Sequence, residues 1–250
     1  MSARIVTVWG SPSSGKTVLS LALAAKIAKE KKNVIVINGD KLVPGLSLYM
    51  PTESFTSKDS IGPLLMSNIY SDADLAERIK THSSSEYLAF VGLSSAENYI
   101  SYHEFTKESV IKLLNKLSMQ ADYLIIDGTS NPLENMLTLT GLEKSDAIIR
   151  TMTADPKGIA YTRAAQNIYR DERFGFEKHV TVLGNVKDVS PETEIISVMG
   201  DFDFVLEYSY EIESKMIAGE LLSNCGRSGG INFEKKITAI LKRLEKVSSV

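Results

Sequence analysis

The stretch that decides the fold is residues 5–31, IVTVWGSPSSGKTVLSLALAAKIAKEK. It begins with a short apolar run that predicts a buried strand, and it continues into a longer run of leucine, alanine and lysine that predicts a helix. Between them, residues 10–17 match the pattern G-x-x-x-x-G-K-[ST] in the strand-before, helix-after context that this pattern requires. The stretch therefore predicts a phosphate-binding loop at the first strand-to-helix junction.

The residue types in this loop suit phosphate binding. Successive backbone N–H groups and a helix N-terminus stabilise phosphate oxygens, and the lysine adds a positive charge. The threonine hydroxyl is a ligand for Mg²⁺. A purely structural glycine turn is the alternative, but it would not require lysine and threonine in register. We expect ATP and Mg²⁺ as cofactors, with the nucleotide contacted by Gly10, Ser11, Ser13, Ser14, Gly15, Lys16, Thr17 and Val18.

Short runs rich in valine and isoleucine alternate with helix-length segments along the chain. Runs such as VIVIN and YLIID are apolar up to their last residue, so both of their faces are expected to be buried. The pattern predicts an α/β fold, a doubly wound, mostly parallel sheet with helices on both faces. Strands are predicted at residues 5–9, 34–38, 87–92, 123–127, 147–151, 180–184 and 204–207, and helices at residues 16–31, 72–81, 104–120, 131–142, 157–170, 191–199, 211–222 and 233–247.

Length and composition favour one domain over residues 1–250, with residues 231–250 forming an amphipathic helix within it or appended to it. The formal net charge of −3 gives no overall attraction to nucleic acid, and we expect no sequence-specific nucleic acid as a partner. The single cysteine, Cys225, cannot form an internal disulfide, and no stretch approaches the roughly 20 apolar residues that span a bilayer. We therefore expect a cytoplasmic protein.

Two carboxylates follow predicted strands. Asp127 ends the run YLIID, where a Walker B aspartate would hold Mg²⁺ together with Thr17. Asp40 lies just past the second strand, where a carboxylate could orient the attacking water, so Lys16 and Asp40 are the predicted catalytic residues. The alternatives are a strand-end aspartate that caps a turn and an ordinary Asn-Gly-Asp turn.

These motifs together resemble the ParA/MinD family of dimeric ATPases, up to about residue 220. The resemblance is carried by residues 10–17, by Asn38-Gly39-Asp40 and by Asp127. Asn185 stands where the family has an asparagine that reads adenine, and the segment that contains Tyr208 resembles the one whose backbone lines the base pocket. The resemblance implies an ATPase that forms a homodimer with ATP and acts on a protein partner.

Two positions depart from the family pattern. The family carries a lysine directly after the first glycine of the loop, which reaches the partner's nucleotide across the dimer, and this position is Ser11 here. The family's first switch commonly reads Asp-x-Asp, and here it begins with Asn38. Loss of the lysine removes a charge that stabilises the transferring phosphoryl group, so we expect a weak ATPase in which binding outlasts hydrolysis. The same departures resemble the CpaE/TadZ group, which is associated with pilus assembly and secretion.

The leading functional hypothesis is a nucleotide-dependent dimerisation switch that positions or recruits a protein partner in pilus assembly, secretion or conjugation. Two alternatives stay open. One is a small-molecule kinase or ATP-dependent ligase resembling dethiobiotin synthetase, with Arg163, Arg170 and Arg173 as phosphate contacts. The other is a scaffold that binds ATP without hydrolysing it.

Two further features are candidate contact surfaces. The last helix places Phe233, Ile237 and Leu244 on one stripe, which predicts either packing on the domain or peripheral contact with the inner face of the membrane. The segments at residues 51–60 and 93–102 follow strand exits, and they are either switch loops or simple connections.

Overall fold

The computed structural model describes residues 2–45 and 55–247. Its strands are β1 (Arg4–Gly10), β2 (Val34–Asn38), β3 (Lys80–His82), β4 (Ser85–Gly92), β5 (Tyr123–Asp127), β6 (Ala147–Thr153), β7 (His179–Val186) and β8 (Phe204–Glu207). They form one eight-stranded sheet in the order β3-β4-β2-β5-β1-β6-β7-β8. Neighbouring strands are parallel except β3, which pairs antiparallel with β4 at one edge. The predicted mostly parallel sheet is confirmed.

Helices cover both faces of this sheet, as predicted. They are α1 (Lys16–Lys29), α2 (Gly62–Ser67), α3 (Asp72–Ala76), α4 (Lys107–Ser118), α5 (Met136–Lys144), α6 (Pro156–Ala164), α7 (Gln166–Tyr169), α8 (Glu192–Met199), α9 (Tyr210–Ala218) and α10 (Ser228–Val247). Alternate residues of β2 enter different cores. Val36 joins the cluster that contains Leu23 of α1, and Ile37 joins the cluster that contains Leu113 of α4.

The parallel register brings the strand ends that matter to one edge of the sheet. Val8 of β1 and Asn38 of β2 both lie opposite Asp127 of β5. On the other side of β1, Thr151 of β6 lies opposite Gly10. The phosphate loop and the strand-end carboxylate therefore share the carboxyl edge, where ligands of open α/β sheets bind.

The predicted helix at residues 72–81 is too long. Ser71 caps the start of α3 by accepting a hydrogen bond from the backbone N–H of Asp74, but the helix ends at Ala76. Residues Lys80–His82 form β3 instead, since pairing with β4 satisfies backbone hydrogen bonds at the sheet edge. Tertiary pairing here outweighs helix propensity.

Other boundaries differ from the sequence pattern for local reasons. The segment at residues 131–142 begins with a 3₁₀ turn at Pro132–Glu134, and α5 begins only at Met136 because Asn135 is its N-cap. The predicted helix at residues 157–170 is divided into α6 and α7 at Ala165. The sequence pattern did not indicate the short helix α2.

The C-terminal helix α10 packs on the domain. It begins at Ser228, earlier than residue 231, and residues 248–250 lie outside the described part of the chain. The stripe that contains Phe233, Ile237 and Leu244 is buried in the same cluster as α1 and β8. The structure thus supports the packed alternative and contradicts membrane docking through this stripe. Among the described residues, no helix is both long and apolar enough to cross a bilayer.

Candidate nucleotide-binding site

The backbone of the phosphate loop requires glycine at its first position. Gly10 has φ +148°, and a Cβ atom there would lie 1.9 Å from the backbone oxygen of Thr151. Gly15, with φ +83°, precedes the first turn of α1 in the left-handed region that favours glycine. The loop is therefore shaped by close contact with β6 at one end and by the start of α1 at the other.

Buried hydroxyl groups fix the loop to β6. Ser11 is fully buried, and its Oγ accepts a hydrogen bond from the backbone N–H of Thr153 at 3.0 Å. Ser14 Oγ donates to the backbone oxygen of Ser11 at 2.7 Å and lies 2.5 Å from Thr151 Oγ1. The side chain at the position of the family lysine thus points into the protein, and this network was not predicted from the sequence.

Lys16 folds back over the loop. Its Nζ donates hydrogen bonds to the backbone oxygens of Ser11 at 2.9 Å and Gly10 at 3.4 Å, and to Ser130 Oγ at 2.8 Å. Burial lowers the pKa of Lys16, while the negative charges of Asp127 and Asp40 act in the opposite direction. The ammonium group is held at the mouth of the loop by polar atoms that a phosphate could replace.

Asp127 is the centre of a second set of hydrogen bonds. It is buried, and it accepts from Thr17 Oγ1 at 2.8 Å, Ser20 Oγ at 3.3 Å and Asn38 Nδ2 at 3.3 Å. The two predicted metal ligands, Thr17 and Asp127, are therefore adjacent. Among the described residues, no group of three or more His, Cys, Asp or Glu side chains could hold a metal ion. The pair of Thr17 and Asp127 fits Mg²⁺, which usually binds through one or two carboxylates together with substrate phosphates.

Asp40 forms a local turn, as the structural alternative predicted. Its Oδ1 accepts from the backbone N–H groups of Leu42 at 2.7 Å and Val43 at 3.0 Å. The charge of Asp40 also acts on Lys16, so Asp40 lies at the same edge of the sheet as the phosphate loop. The preceding residue is tied to α5, because Asn135 Nδ2 donates to the backbone oxygen of Gly39 at 2.8 Å. The catalytic role of Asp40 stays a prediction.

A cavity of about 450 Å³ extends from the loop between α1 and α9. It is lined by the predicted residues Ser13, Ser14, Gly15, Lys16, Thr17, Val18, Asn185 and Tyr208. Gly10 and Ser11, which the sequence also predicted as nucleotide contacts, are not part of this lining. This volume lies in the range of roughly 300–1,000 Å³ that is typical of small-molecule sites. The loop, the lysine and the cavity together fit a nucleotide.

The far end of the cavity is mainly apolar, with one polar pair. Tyr208 donates its hydroxyl to the Glu213 carboxylate at 2.6 Å. Sequence reasoning missed Glu213 and the apolar wall, although the spacing of apolar residues on α9 was available as a signal. The wall is formed by Leu19, Leu206, Ile212, Met216, Ile217 and Phe233.

The arginines proposed for a kinase or ligase do not converge on this site. Arg163, Arg170 and Arg173 are outside the lining of the described cavity. Arg173 is instead paired with Asp171 at 2.7 Å and with Glu143 at 3.4 Å. The structure therefore gives no support to the phosphate-clamp hypothesis.

Of the two predicted switch segments, residues 51–60 and 93–102, only the second lies entirely within the described residues. Residues 51–54 of the first lie outside the described part of the chain. The second follows β4 and is organised by Glu97, which accepts from the backbone N–H of Ser94 at 2.9 Å and from Ser60 Oγ at 2.5 Å. Beside it, Tyr99 reaches the backbone oxygen of Glu134 at 3.5 Å. The segment thus contacts the residues that follow β5.

Comparison with known proteins agrees with this geometry. The family model AAA_31, described as an AAA domain, matches residues 9–166. The fold is similar to MinD from Pyrococcus horikoshii OT3 complexed with Mg-ADP, with 14% identity, 99% coverage of both chains and a TM-score of 0.75. It is similar to a ParA family ATPase from Chlorobium tepidum TLS, with 13% identity, coverage of 99% of this chain and 100% of that one, and a TM-score of 0.76.

A third similar structure is the MinC:MinD complex from Aquifex aeolicus, at 10% identity, coverage of 95% of this chain and 96% of that one, and a TM-score of 0.72. No curated protein matches the chain. At these identities the solved structures establish the fold, while the family model covers more than half of the 250 residues. The chain therefore belongs to the AAA_31 family and has the fold of the MinD and ParA ATPases.

Proposed function

We propose that this chain is an ATP-binding switch whose nucleotide state controls dimerisation and the recruitment of a protein partner. The observation that carries the proposal is one continuous cavity that joins Lys16 and Thr17 of the phosphate loop to Asn185 at the base end. The loop amides and Lys16 would hold the phosphates, and Thr17 and Asp127 would hold Mg²⁺. The Mg-ADP bound to the P. horikoshii protein supports this choice of ligand.

The dimerisation part of the proposal is supported by exposed apolar side chains on the phosphate edge. Leu42 and Val43 follow β2, Ile100 follows β4, and Leu133 follows β5. Their exposed fractions are 75%, 58%, 94% and 59%. Grouped exposed apolar residues are typical of protein contact surfaces. A second copy of the chain is the proposed occupant, since the strand exits place this surface beside the nucleotide site.

Hydrolysis is proposed to be weak. Buried Ser11 cannot present a charge to a partner's nucleotide, and Asn38 offers Asp127 a neutral amide where the family commonly has a carboxylate. These two residues also support the finer proposal of the CpaE/TadZ group, with a partner in pilus assembly, secretion or conjugation. The partner-bound MinD of A. aeolicus supports a protein as the recruited molecule. Cys225, a free cysteine, suits the cytoplasm that we propose.

The test is the oligomeric state, measured by light scattering over a wide range of protein concentration with Mg²⁺ and a non-hydrolysable ATP analogue. We expect the analogue to drive dimerisation, and we expect Lys16→Ala and Ile100→Glu to abolish it. Met119→Glu is the matched control, because Met119 is 76% exposed and follows α4 at the opposite edge of the sheet. An unchanged mass with saturating analogue would contradict the switch.

A non-hydrolysing scaffold is the second candidate, favoured by the same buried Ser11. A phosphate-release assay separates it from a weak ATPase. Equal rates for the unmodified protein, Lys16→Ala and Asp40→Ala would support the scaffold. A phosphate-release rate of the unmodified protein that exceeds the rates of both variants would support the ATPase and the catalytic role of Asp40.

A further inference from the structure

The phosphate-loop lysine is bound by a residue outside the loop. Lys16 Nζ donates to Ser130 Oγ at 2.8 Å, in addition to the loop carbonyls. Ser130 follows Asp127 at the end of β5, on the strand next to β1. A hydroxyl group from a different strand exit is therefore in direct contact with the cation that would bind phosphate.

Ser130 is held in place by the residues around it. Tyr161 of α6 donates its hydroxyl to the backbone oxygen of Ser130 at 2.6 Å. On the preceding side, the backbone N–H of Thr129 donates to Thr138 Oγ1 of α5 at 3.1 Å. Both anchors come from helices, so the Ser130 hydroxyl has a defined position relative to Lys16.

The chemistry of the pair suits exchange with a phosphate. An ammonium group has three donors and no acceptor, whereas a serine hydroxyl both donates and accepts. Phosphate oxygens that bind Lys16 would compete with Ser130 for the ammonium protons. The released hydroxyl would then be able to donate to a phosphate oxygen from the exit of β5. This strand also ends in Asp127, beside which a P-loop protein places the metal and the terminal phosphates.

We propose that Ser130 contacts the terminal phosphate and distinguishes a nucleoside triphosphate from a diphosphate, with Tyr161 as its positioning residue. This inference rests on the proposed nucleotide site. A diphosphate is held by the loop amides and Lys16 without Ser130. A triphosphate gains one hydrogen bond between the hydroxyl and a charged oxygen, which is among the stronger hydrogen bonds in proteins.

The experiment measures dissociation constants by calorimetry for Mg-ADP and for Mg²⁺ with a non-hydrolysable ATP analogue. The quantity compared is the ratio of the two constants, because any gain from releasing Lys16 affects both nucleotides and cancels. In Ser130→Ala we expect the preference for the triphosphate to fall about tenfold, with ADP affinity retained. Ser130→Thr, which keeps the hydroxyl, should restore the ratio, and Tyr161→Phe should lower it by a smaller factor.

Ser118→Ala is the control for loss of a serine hydroxyl, since this buried serine lies at the opposite edge of the sheet, where its hydroxyl donates to the backbone oxygen of Asn115. A ratio in Ser130→Ala that stays within twofold of the unmodified protein, while ADP still binds, would overturn this inference and leave the proposed function intact. If Ser130→Ala fails to fold, Tyr161→Phe gives the answer by the same ratio. If the unmodified protein binds neither nucleotide, the proposed function itself fails.

Discussion

Ser11 shows why a single position can be misjudged from a family pattern. Its side chain is buried and accepts a hydrogen bond from β6, although the family resemblance places there a lysine that reaches across the dimer to the partner's nucleotide. Six of the eight loop residues that were predicted to contact the nucleotide line the cavity, among them Lys16 and Thr17, which follow the spacing of the motif, but Gly10 and Ser11 do not. The loop sequence could not predict the direction of Ser11, which depends on the register between β1 and β6.

Restoring the family residue should therefore damage the protein. Ser11→Lys would place an ammonium group in a buried site where the described partners of the Ser11 side chain are the hydroxyl and backbone N–H of Thr153, or force the loop away from Thr153. We expect the free energy of unfolding to fall by about 3 kcal/mol and nucleotide affinity to fall with it. Urea unfolding and ADP titration measure both effects.

Ser13→Lys is the control for the unfolding measurement only, since Ser13 is exposed in the same loop and should tolerate lysine without loss of stability. A Ser11→Lys protein with unchanged stability and faster ATP hydrolysis would show that the loop can turn outward.

His179 predicts a pH dependence of stability. It is 8% exposed at the start of β7, and burial lowers its pKa to about 4, with the positive charge of Arg150 acting in the same direction and Glu177 opposing it. Its unfolded pKa is near 6.5, so the unfolded state binds more protons between these values. The free energy of unfolding should therefore fall by about 3 kcal/mol as the pH decreases through this window, and be fully retained above it.

Urea unfolding of His179→Gln over the same pH range tests this effect. The variant should lose less stability on acidification than the unmodified protein. His103→Gln, at an exposed position, is the matched control for the substitution itself. Parallel curves for His179→Gln and the unmodified protein would assign the acid sensitivity to carboxylates instead.

At the scale of helices and strands, the sequence predicted the elements that have a strong internal pattern. The central strands were found with little error because they are apolar on both faces. The edge strand β3 was missed because Lys80 and Thr81 carry no buried pattern and gain their structure from β4. The amphipathic pattern of α10 was recognised, but the pattern alone could not indicate whether α1 or a membrane would cover it.

The burial of α10 predicts that truncation of one of its core side chains destabilises the protein. Ile240 is fully buried against the α1 side of the sheet, and we expect Ile240→Ala to lower the free energy of unfolding by about 2–4 kcal/mol. Exposed Met119→Ala should change it by less than about 0.5 kcal/mol. Urea unfolding of the two variants measures both changes in the free energy of unfolding. Near-neutral behaviour of Ile240→Ala, with binding to anionic vesicles, would show that the helix leaves the domain.

At the scale of the whole molecule, the site depends on parts of the chain that are far apart in sequence. Asn185 joins the cavity because β7 passes close to the loop, and a Cβ at Gly184 would lie 2.3 Å from the backbone oxygen of Ser14. The resemblance indicated Asn185 and Tyr208, but only the packing of α9 reveals Glu213. Residue patterns thus indicated most of the residues that line the loop end of the cavity and fewer of those that line its far end, and the contacts of these residues with a nucleotide stay a prediction.

Nucleotide should stabilise the entire fold, because the cavity exists only when these distant segments are packed together. With Mg-ADP at a hundred times its dissociation constant, binding contributes about 2.7 kcal/mol, which for a chain of this length corresponds to a rise in Tm of about 5–10 °C. Lys16→Ala should abolish the rise. Differential scanning fluorimetry gives the measurement, and an equal rise in Lys16→Ala would place the nucleotide elsewhere.

The hydrogen bond from Asn135 to Gly39 has a mechanical consequence. One amide joins the loop that carries Asp40 to the start of α5, so we expect the exits of β2 and β5 to move together. A spectroscopic label on either loop would then register the same event with the same time course. Cutting that bond with Asn135→Ala would give each loop a relaxation rate of its own.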